Sequence, residues 1–357
     1  MPRVLVTGGA GFIGSNFVLH WLRQHPGDRI VVLDALTYAG SLANLHPADG
    51  SPQYRFVHGD ICEREAVERL LREESIDTIA HFAAESHVDR SITDPDVFIR
   101  TNVLGTHSLL EAARKVWLDE RALERHRFHH VSTDEVYGSL GPHDQPFSES
   151  APYAPNSPYS ASKAASDHLV RAYRHTYGLR TTVSNCSNNY GPNQFAEKLI
   201  PVTILKILAG KPIPVYGDGG NVRDWLHVSD HCRGIELILK SGTAGNVYNL
   251  GGQCERRNID LVRTLCAIVD QRLNSLPRLR ALFPESPAAN RGHSESLIAY
   301  VKDRPGHDRR YAIDSSKAVK ELGFGTRVPL QAGLEQVVDW YLQRAESVAE
   351  RQSDAPK

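Results

Sequence analysis

Two short stretches carry side chains suited to moving protons and hydride. Ser132-Thr133-Asp134-Glu135-Val136-Tyr137-Gly138 holds hydroxyls and two adjacent carboxylates, and Tyr159-Ser160-Ala161-Ser162-Lys163 follows about two dozen residues later. Tyr159 and Lys163 are four apart, so on a helix they share a face. An ammonium beside a phenol favours phenolate and draws its pKa from about 10 toward neutrality, which makes a usable base. Two neighbouring carboxyls divide into an acid and a base when one raises the pKa of the other. A Tyr-x-x-x-Lys spacing alone recurs by chance in many helices. Behind a nucleotide-binding fold it becomes specific.

Such a fold is legible at the start of the chain. Arg3-Val4-Leu5-Val6-Thr7 reads as a short apolar strand, Gly8-Gly9-Ala10-Gly11-Phe12-Ile13-Gly14-Ser15 as a glycine-rich turn, and Asn16 to Leu22 as a helix. A second strand, Arg29 to Leu33, ends on Asp34. Small residues let the backbone approach a pyrophosphate, and the helix N-terminus supplies oriented N–H donors. Asp34 is placed to accept from the adenosine ribose hydroxyls, and its charge would repel a 2′-phosphate, so NAD is expected rather than NADP. Gly8, Gly11, Phe12, Ile13 and Gly14 are therefore candidate cofactor contacts.

Composition narrows the class. The 357 residues can bury a large core, and a net charge of −1 without a long basic block gives no electrostatic case for nucleic acid. Arg121, Arg125 and Arg127 read as a solvated helix end. Five cysteines (Cys62, Cys186, Cys232, Cys254, Cys266) have no metal spacing and read as reduced thiols of a cytoplasmic protein. The 17 histidines invite a metal reading, but His129-His130 fall on a buried strand and no set has ligand spacing, so no metal is expected. No signal-like segment precedes the first strand, and no apolar run has membrane-spanning length, so no membrane partner is expected.

Strands and helices alternate as in a doubly wound parallel sheet. Tyr54 to Val57 leads to Asp60, Thr78 to Phe82 opens into Ala83-Ala84-Glu85-Ser86-His87, and Phe128 to Ser132 leads into the acidic pair. Long helices are expected over about 94–116 and 157–177, the second opening with Pro158 near its first turn. Thr181 to Ser184 gives a sixth strand. Residues 1–190 read as a dinucleotide-binding domain, joined by segments near 228–255 and 308–326, and 191–345 mainly as a substrate lobe. Residues 278–296, rich in Pro, Ala and Ser, read as a surface excursion, and 346–357 as a frayed polar tail.

The glycine motif, the Tyr-x-x-x-Lys helix and the length resemble the extended short-chain dehydrogenase/reductases that act on nucleotide sugars. Within them the chain is similar to the dTDP-glucose 4,6-dehydratase family. The resemblance rests on Leu33 to Gly40, His81 to Ser91, the Asp134-Glu135 stretch, Asn185 to Pro192, Arg223-Asp224-Trp225 and Asp303-Arg304-Pro305-Gly306-His307-Asp308. Ala196 departs from it, standing where the family usually has proline.

The resemblance implies an NAD-binding Rossmann α/β fold with a smaller, mixed C-terminal lobe. It adds Leu36, Thr37, Asp60, Ile61, Ala83, Ala84, Thr101 and Asn189 to the cofactor contacts. For the nucleotide sugar it implies Glu85, Ser86, His87, Asn188, Lys198 and Leu199, with Pro214-Val215-Tyr216 along the base. Arg223 falls at the diphosphate, where a guanidinium fork suits phosphate, Arg304 and His307 at the nucleotide end, and Asn258 is a further substrate contact. Tyr159, also a cofactor contact, would take the proton of the 4-hydroxyl during oxidation, with Thr133 bonded to the sugar hydroxyl and Lys163 holding the nicotinamide ribose while tuning Tyr159. Glu135 would then remove the C5 proton, and Asp134 would protonate the departing 6-hydroxyl. A homodimer joined by a four-helix bundle is also implied, with Ala164, Ala165, Leu169, Ala172 and Tyr173 on an apolar face of the second long helix. A UDP- or CDP-glucose dehydratase and a 4-epimerase remain as alternatives; epimerases usually carry small uncharged residues where Asp134 and Glu135 stand. A non-enzymatic NAD sensor typically loses the tyrosine-lysine pair.

Overall fold

A computed structural model describes residues 1–119 and 125–353, with 348–353 described as backbone only. Arg121 and residues 354–357, part of the expected tail, lie outside the described residues. Among the described residues twelve strands form in chain order: β1 (Arg3–Thr7), β2 (Arg29–Asp34), β3 (Tyr54–His58), β4 (Thr78–His81), β5 (Arg127–Thr133), β6 (Thr181–Cys186), β7 (Asn188–Tyr190), β8 (Ile213–Tyr216), β9 (Val222–His227), β10 (Val247–Leu250), β11 (Glu255–Arg257) and β12 (Ile298–Val301). Seven of them build one sheet in the order β3-β2-β1-β4-β5-β6-β10, with every pairing parallel. The fold is doubly wound α/β.

The continuous apolar runs of the strands follow from burial on both faces. Val4 and Val6 point into a core with Phe17, Val18 and Trp21, whereas Leu5 points into the opposite core with Leu71, Leu109 and Trp117. A third apolar cluster, including Ile204, Ile207, Val262, Leu265, Val269 and Val338, holds the segments after β7 together around two small sheets, β11-β9-β7 and β12-β8.

Three segments differ from expectation. The helix over 94–116 is not uniform: Ile99–Gly105 is π-helical and leads into the α-helix Thr106–Asp119. Residues 278–296 are not a loose excursion. They fold into a helix, Pro277–Leu282, and two 3₁₀ turns, and Asp270 anchors them by accepting from the backbone N–H and hydroxyl of Ser294. The last helix, Leu330–Ser353, runs past Glu346, where fraying was expected.

Candidate active site

Sheet order reverses between β1 and β4, and the loops that leave them diverge to open a crevice beyond their carboxyl ends. The glycine turn occupies one side. Gly8 has φ of 70° and packs against the backbone of Ala83, and a Cβ on Gly14 would stand 2.2 Å from the Gly8 carbonyl oxygen. The turn is thus drawn against the start of the helix Phe12–Gln24, whose N-cap Gly11 offers no side-chain cap. First-turn N–H groups are left for an anionic ligand. Asp34 locks the turn, its Oδ2 accepting from Ala10 N at 2.8 Å and its Oδ1 from Leu36 N at 2.8 Å. Each oxygen keeps a further lone pair for ribose hydroxyls. These features fit a dinucleotide.

On the other side, β5 ends in Thr133, whose hydroxyl caps the 3₁₀ turn Asp134–Tyr137 by accepting from Glu135 N at 3.3 Å. The helix Pro158–Tyr177 starts from Ser157, whose hydroxyl accepts from Ser160 N at 3.1 Å, and this presents Tyr159 and Lys163 to the same space. The π-helical segment sets the floor. Asn102 accepts from Glu85 N and donates to Glu85 O and to Ser162 Oγ, tying the loop after β4 to the tyrosine helix. A π turn inserts one residue into a helix and redirects the side chains around it. Here it brings Thr101 to the cleft.

The resulting cleft has a volume of about 340 Å³. It brings together Thr133, Asp134, Glu135, Tyr159 and Lys163 with Gly8, Gly11, Phe12, Ile13, Gly14, Asp34, Thr37, Asp60, Ile61, Ala83, Ala84, Thr101 and Asn189. Glu85, Ser86, Asn188 and Lys198 also line it. Leu36 does not: it takes a left-handed φ of 49° and contributes its backbone N–H to Asp34.

Of the other residues expected at the substrate, His87, Leu199, Pro214, Val215, Tyr216, Arg223, Asn258, Arg304 and His307 lie outside the lining of this cleft. Several are held by protein partners. Val215 is a core side chain, Tyr216 donates to Asp89 Oδ2 at 3.2 Å, Arg304 to Asp89 Oδ1 at 3.1 Å, and Arg223 to Asp308 O at 2.9 Å. His307 Nδ1 lies 2.6 Å from Asp303 Oδ1, and His87 Nε2 lies 3.3 Å from Glu197 Oε2. Asn258 opens a helix with a buried Oδ1 that lacks a partner. The cleft also takes in Cys186, Ser187, Gln194, Phe195 and Glu197, which the sequence reading did not assign to it. Their only signal was position beside the Asn185 to Pro192 block.

Electrostatics separates the two acids. Burial and the neighbouring Glu135 push the Asp134 carboxyl well above the usual range. Burial also raises Glu135, but Arg304, Arg223 and Lys198 pull it back, so it ionises more readily. Tyr159 departs from the sequence expectation. Burial and the Glu135 charge push its phenol up, and the Thr133 hydroxyl, hydrogen-bonded to it, lowers it. Lys163 is engaged elsewhere, donating to Val131 O at 2.9 Å with His130 Nε2 at 3.3 Å. Burial brings this ammonium down to about 8.

Comparison with known proteins agrees with this geometry. The family model "GDP-mannose 4,6 dehydratase" matches residues 5–337. A dTDP-glucose 4,6-dehydratase of Xanthomonas campestris pv. campestris is 56% identical over 96% of this chain and 93% of its own length. One from Neisseria meningitidis serogroup B is 51% identical over 96% and 94%. Among solved structures, the dTDP-glucose 4,6-dehydratase DesIV of Streptomyces venezuelae, with NAD bound, superposes with a TM-score of 0.83 at 46% identity, covering 97% of this chain and 98% of that one. With nearly the whole chain matched at this level, it belongs to the family of that model, in the branch of the dTDP-glucose 4,6-dehydratases.

Proposed function

We propose that the protein dehydrates dTDP-glucose to the 4-keto-6-deoxy sugar nucleotide, using NAD that stays bound through the cycle. The observation that carries the reading is the pair Asp134-Glu135 beside Tyr159, in one cleft with the glycine turn. NAD, when bound, supplies the hydride acceptor for C4 and the donor for C6, and its cationic ring favours the Tyr159 phenolate. Thr133 holds the 4-hydroxyl while Tyr159 takes its proton. The C4 ketone acidifies the C5–H, and Glu135, kept ionisable by Arg304, Arg223 and Lys198, removes that proton. Asp134, held protonated by burial, gives its proton to the 6-hydroxyl as water leaves. Glu135 then returns a proton to C5.

Residues 1–190, with 228–255 and 308–326, act as the cofactor-binding part and 191–345 mainly as the nucleotide-sugar lobe. Ser86, Asn188 and Lys198 in the cleft hold the sugar nucleotide, with Arg223 at the diphosphate, Arg304 and His307 at the nucleotide end and Asn258 as a further contact. The protein works in the cytoplasm, in keeping with its five free thiols, and as a homodimer. Among the described residues no helix is long and apolar enough to cross a membrane. Incubation with dTDP-, UDP- and CDP-glucose, followed by detection of 4-keto-6-deoxy product, tests the assignment. Formation from dTDP-glucose supports it; inversion at C4 without ketone product overturns it in favour of an epimerase.

A further inference from the structure

Behind Tyr159 and Lys163, the cleft is backed by polar groups that the reaction above does not use: buried Asp167, His130 and Ser132, with half-buried Tyr153. Tyr159, Lys163 and Asp167 succeed one another at four-residue steps along the helix Pro158–Tyr177, so they form one row on one face. Asp167 is 4% exposed and does not reach the cleft. Its Oδ2 accepts from Ser132 Oγ at 2.8 Å and from Tyr153 OH at 3.0 Å. Its Oδ1 has no hydrogen-bond partner and lies 3.3 Å from His130 Nε2. The same nitrogen lies 3.3 Å from Lys163 Nζ. One imidazole nitrogen therefore stands between the ammonium and the carboxylate.

We infer that Asp167 is a positioning residue: acting across His130, it keeps the Lys163 side chain charged where it lines the cleft. The inference rests on the assignment of Lys163 to the cofactor and Tyr159. A buried ammonium surrounded only by neutral dipoles loses its proton readily, and an opposite charge nearby prevents this. The other groups facing the pair supply no such charge. His130 on β5 and His81 on β4 are held neutral by burial and by Lys163 itself, and burial raises the Cys186 thiol on β6. Burial likewise raises the phenols of Tyr153, Tyr137 and Tyr159. His168, next along the helix, is exposed; burial raises the Asp167 carboxyl itself to about 6, with Lys163 foremost among the groups that lower it. Asp167 is thus the carboxylate that supports Lys163, and the support runs both ways.

The test is the pH dependence of kcat/KM and of NAD affinity for the wild type, Asp167→Asn, Asp167→Glu, His130→Gln and Tyr153→Phe. In Asp167→Asn the basic limb should move down by about one pH unit or more, with activity at about pH 6.5 within about threefold of wild type and a loss of about tenfold near pH 8.5. NAD affinity should weaken over the same range, because it depends on the same ammonium. Asp167→Glu should restore the limb. Tyr153→Phe, which keeps the charge, should leave it in place. A uniform fall in kcat with an unchanged profile, or a shift in Tyr153→Phe as large as in Asp167→Asn, would overturn the inference. If Asp167→Asn does not fold, His130→Gln decides: a lowered basic limb supports the bridge and an unmoved one overturns it. Wild-type protein that binds NAD with the expected pH dependence but forms no 4-keto-6-deoxy product would sink the functional assignment and leave this inference standing.

Discussion

Asp134 and Glu135 are sequence neighbours whose carboxyls meet opposite surroundings. Asp134 is 2% exposed and its Oδ2 has no partner within the protein, whereas Glu135 Oε2 accepts from Ser160 Oγ at 3.3 Å and faces cationic groups. An unpaired buried carboxyl stays protonated and can donate; a charge-stabilised one can accept.

Substitution should separate the two roles. Glu135→Gln should allow oxidation at C4 but stop C5 exchange with solvent deuterium, so that a 4-keto-glucose nucleotide accumulates. Asp134→Asn should retain some exchange and slow water loss by about 10²-fold or more, the usual scale for a positioned acid. Tyr159→Phe should suppress the first oxidation itself. Exchange and product, followed by NMR, check all three; dehydration by Glu135→Gln at the wild-type rate would exclude its role as the base.

Asp34 supports the cofactor turn, and the same carboxylate is the proposed partner of the ribose. Both of its oxygens already accept backbone N–H groups, from Ala10 and Leu36. Asp34→Asn turns one acceptor oxygen into a donor facing an N–H, so a charge-assisted bond becomes a repulsive one. NAD affinity should fall by about tenfold or more, equivalent to about 1.4 kcal/mol. The wild-type protein should bind NADP far more weakly than NAD, and purified protein should carry NAD(H). Calorimetry on both cofactors checks this, and tighter NADP binding would reverse the cofactor preference.

Much of this site was readable because its parts are local. A glycine turn between strand and helix, an acid at the next strand end and a four-residue Tyr–Lys spacing need no tertiary knowledge. What could not be read depends on distant packing. The segment near 228–255 reads as joining the first domain, but its strand β10 is not legible, because it is short and reaches the sheet edge beside β6 only after the chain has left for the second lobe. Periodicity over a long window reports a helix there but does not resolve the π turn at Ile99–Gly105 within it. Residues 278–296 lacked a period because a short helix and two 3₁₀ turns stand where one long element would show it. The direction of the Tyr159 shift was missed because spacing does not report its burial beside Glu135, nor that Val131 and His130 engage the Lys163 ammonium.

Assembly can be tested at the helices 99–119 and 158–177. Of the face expected to pair, Ala164 and Tyr173 are buried within the chain and Ala172 is exposed. The large apolar side chains that do reach the surface are Ile99, Leu104, Leu118 and Tyr177, with Leu104 55% exposed. Covering such side chains favours association by roughly 1.5–3 kcal/mol each when burial is complete. Wild-type protein should sediment as a dimer at micromolar concentration, and Leu104→Glu should shift it toward monomer without loss of secondary structure. A wild-type monomer under those conditions would count against the homodimer.

Acid stability should report a second buried histidine pair. His231, on the helix Val228–Ser241, is fully buried and neither ring nitrogen has a hydrogen-bond partner. Burial lowers its pKa to about 3, and burial together with His231 lowers that of His129 to about 3. Both are neutral in the fold, whereas the unfolded chain takes up their protons below about pH 6.5. The folded state binds fewer protons, so stability is fully present above about pH 6.5 and falls as pH drops from there toward 3. Each histidine contributes a slope of about 1.4 kcal/mol per pH unit over that window. His231→Leu removes one of the two titrating groups without touching the cleft. Between pH 7 and 5, its loss of unfolding free energy in urea should be smaller than the wild-type loss by about 2 kcal/mol. An identical pH dependence in variant and wild type would show that His231 does not resist protonation in the fold.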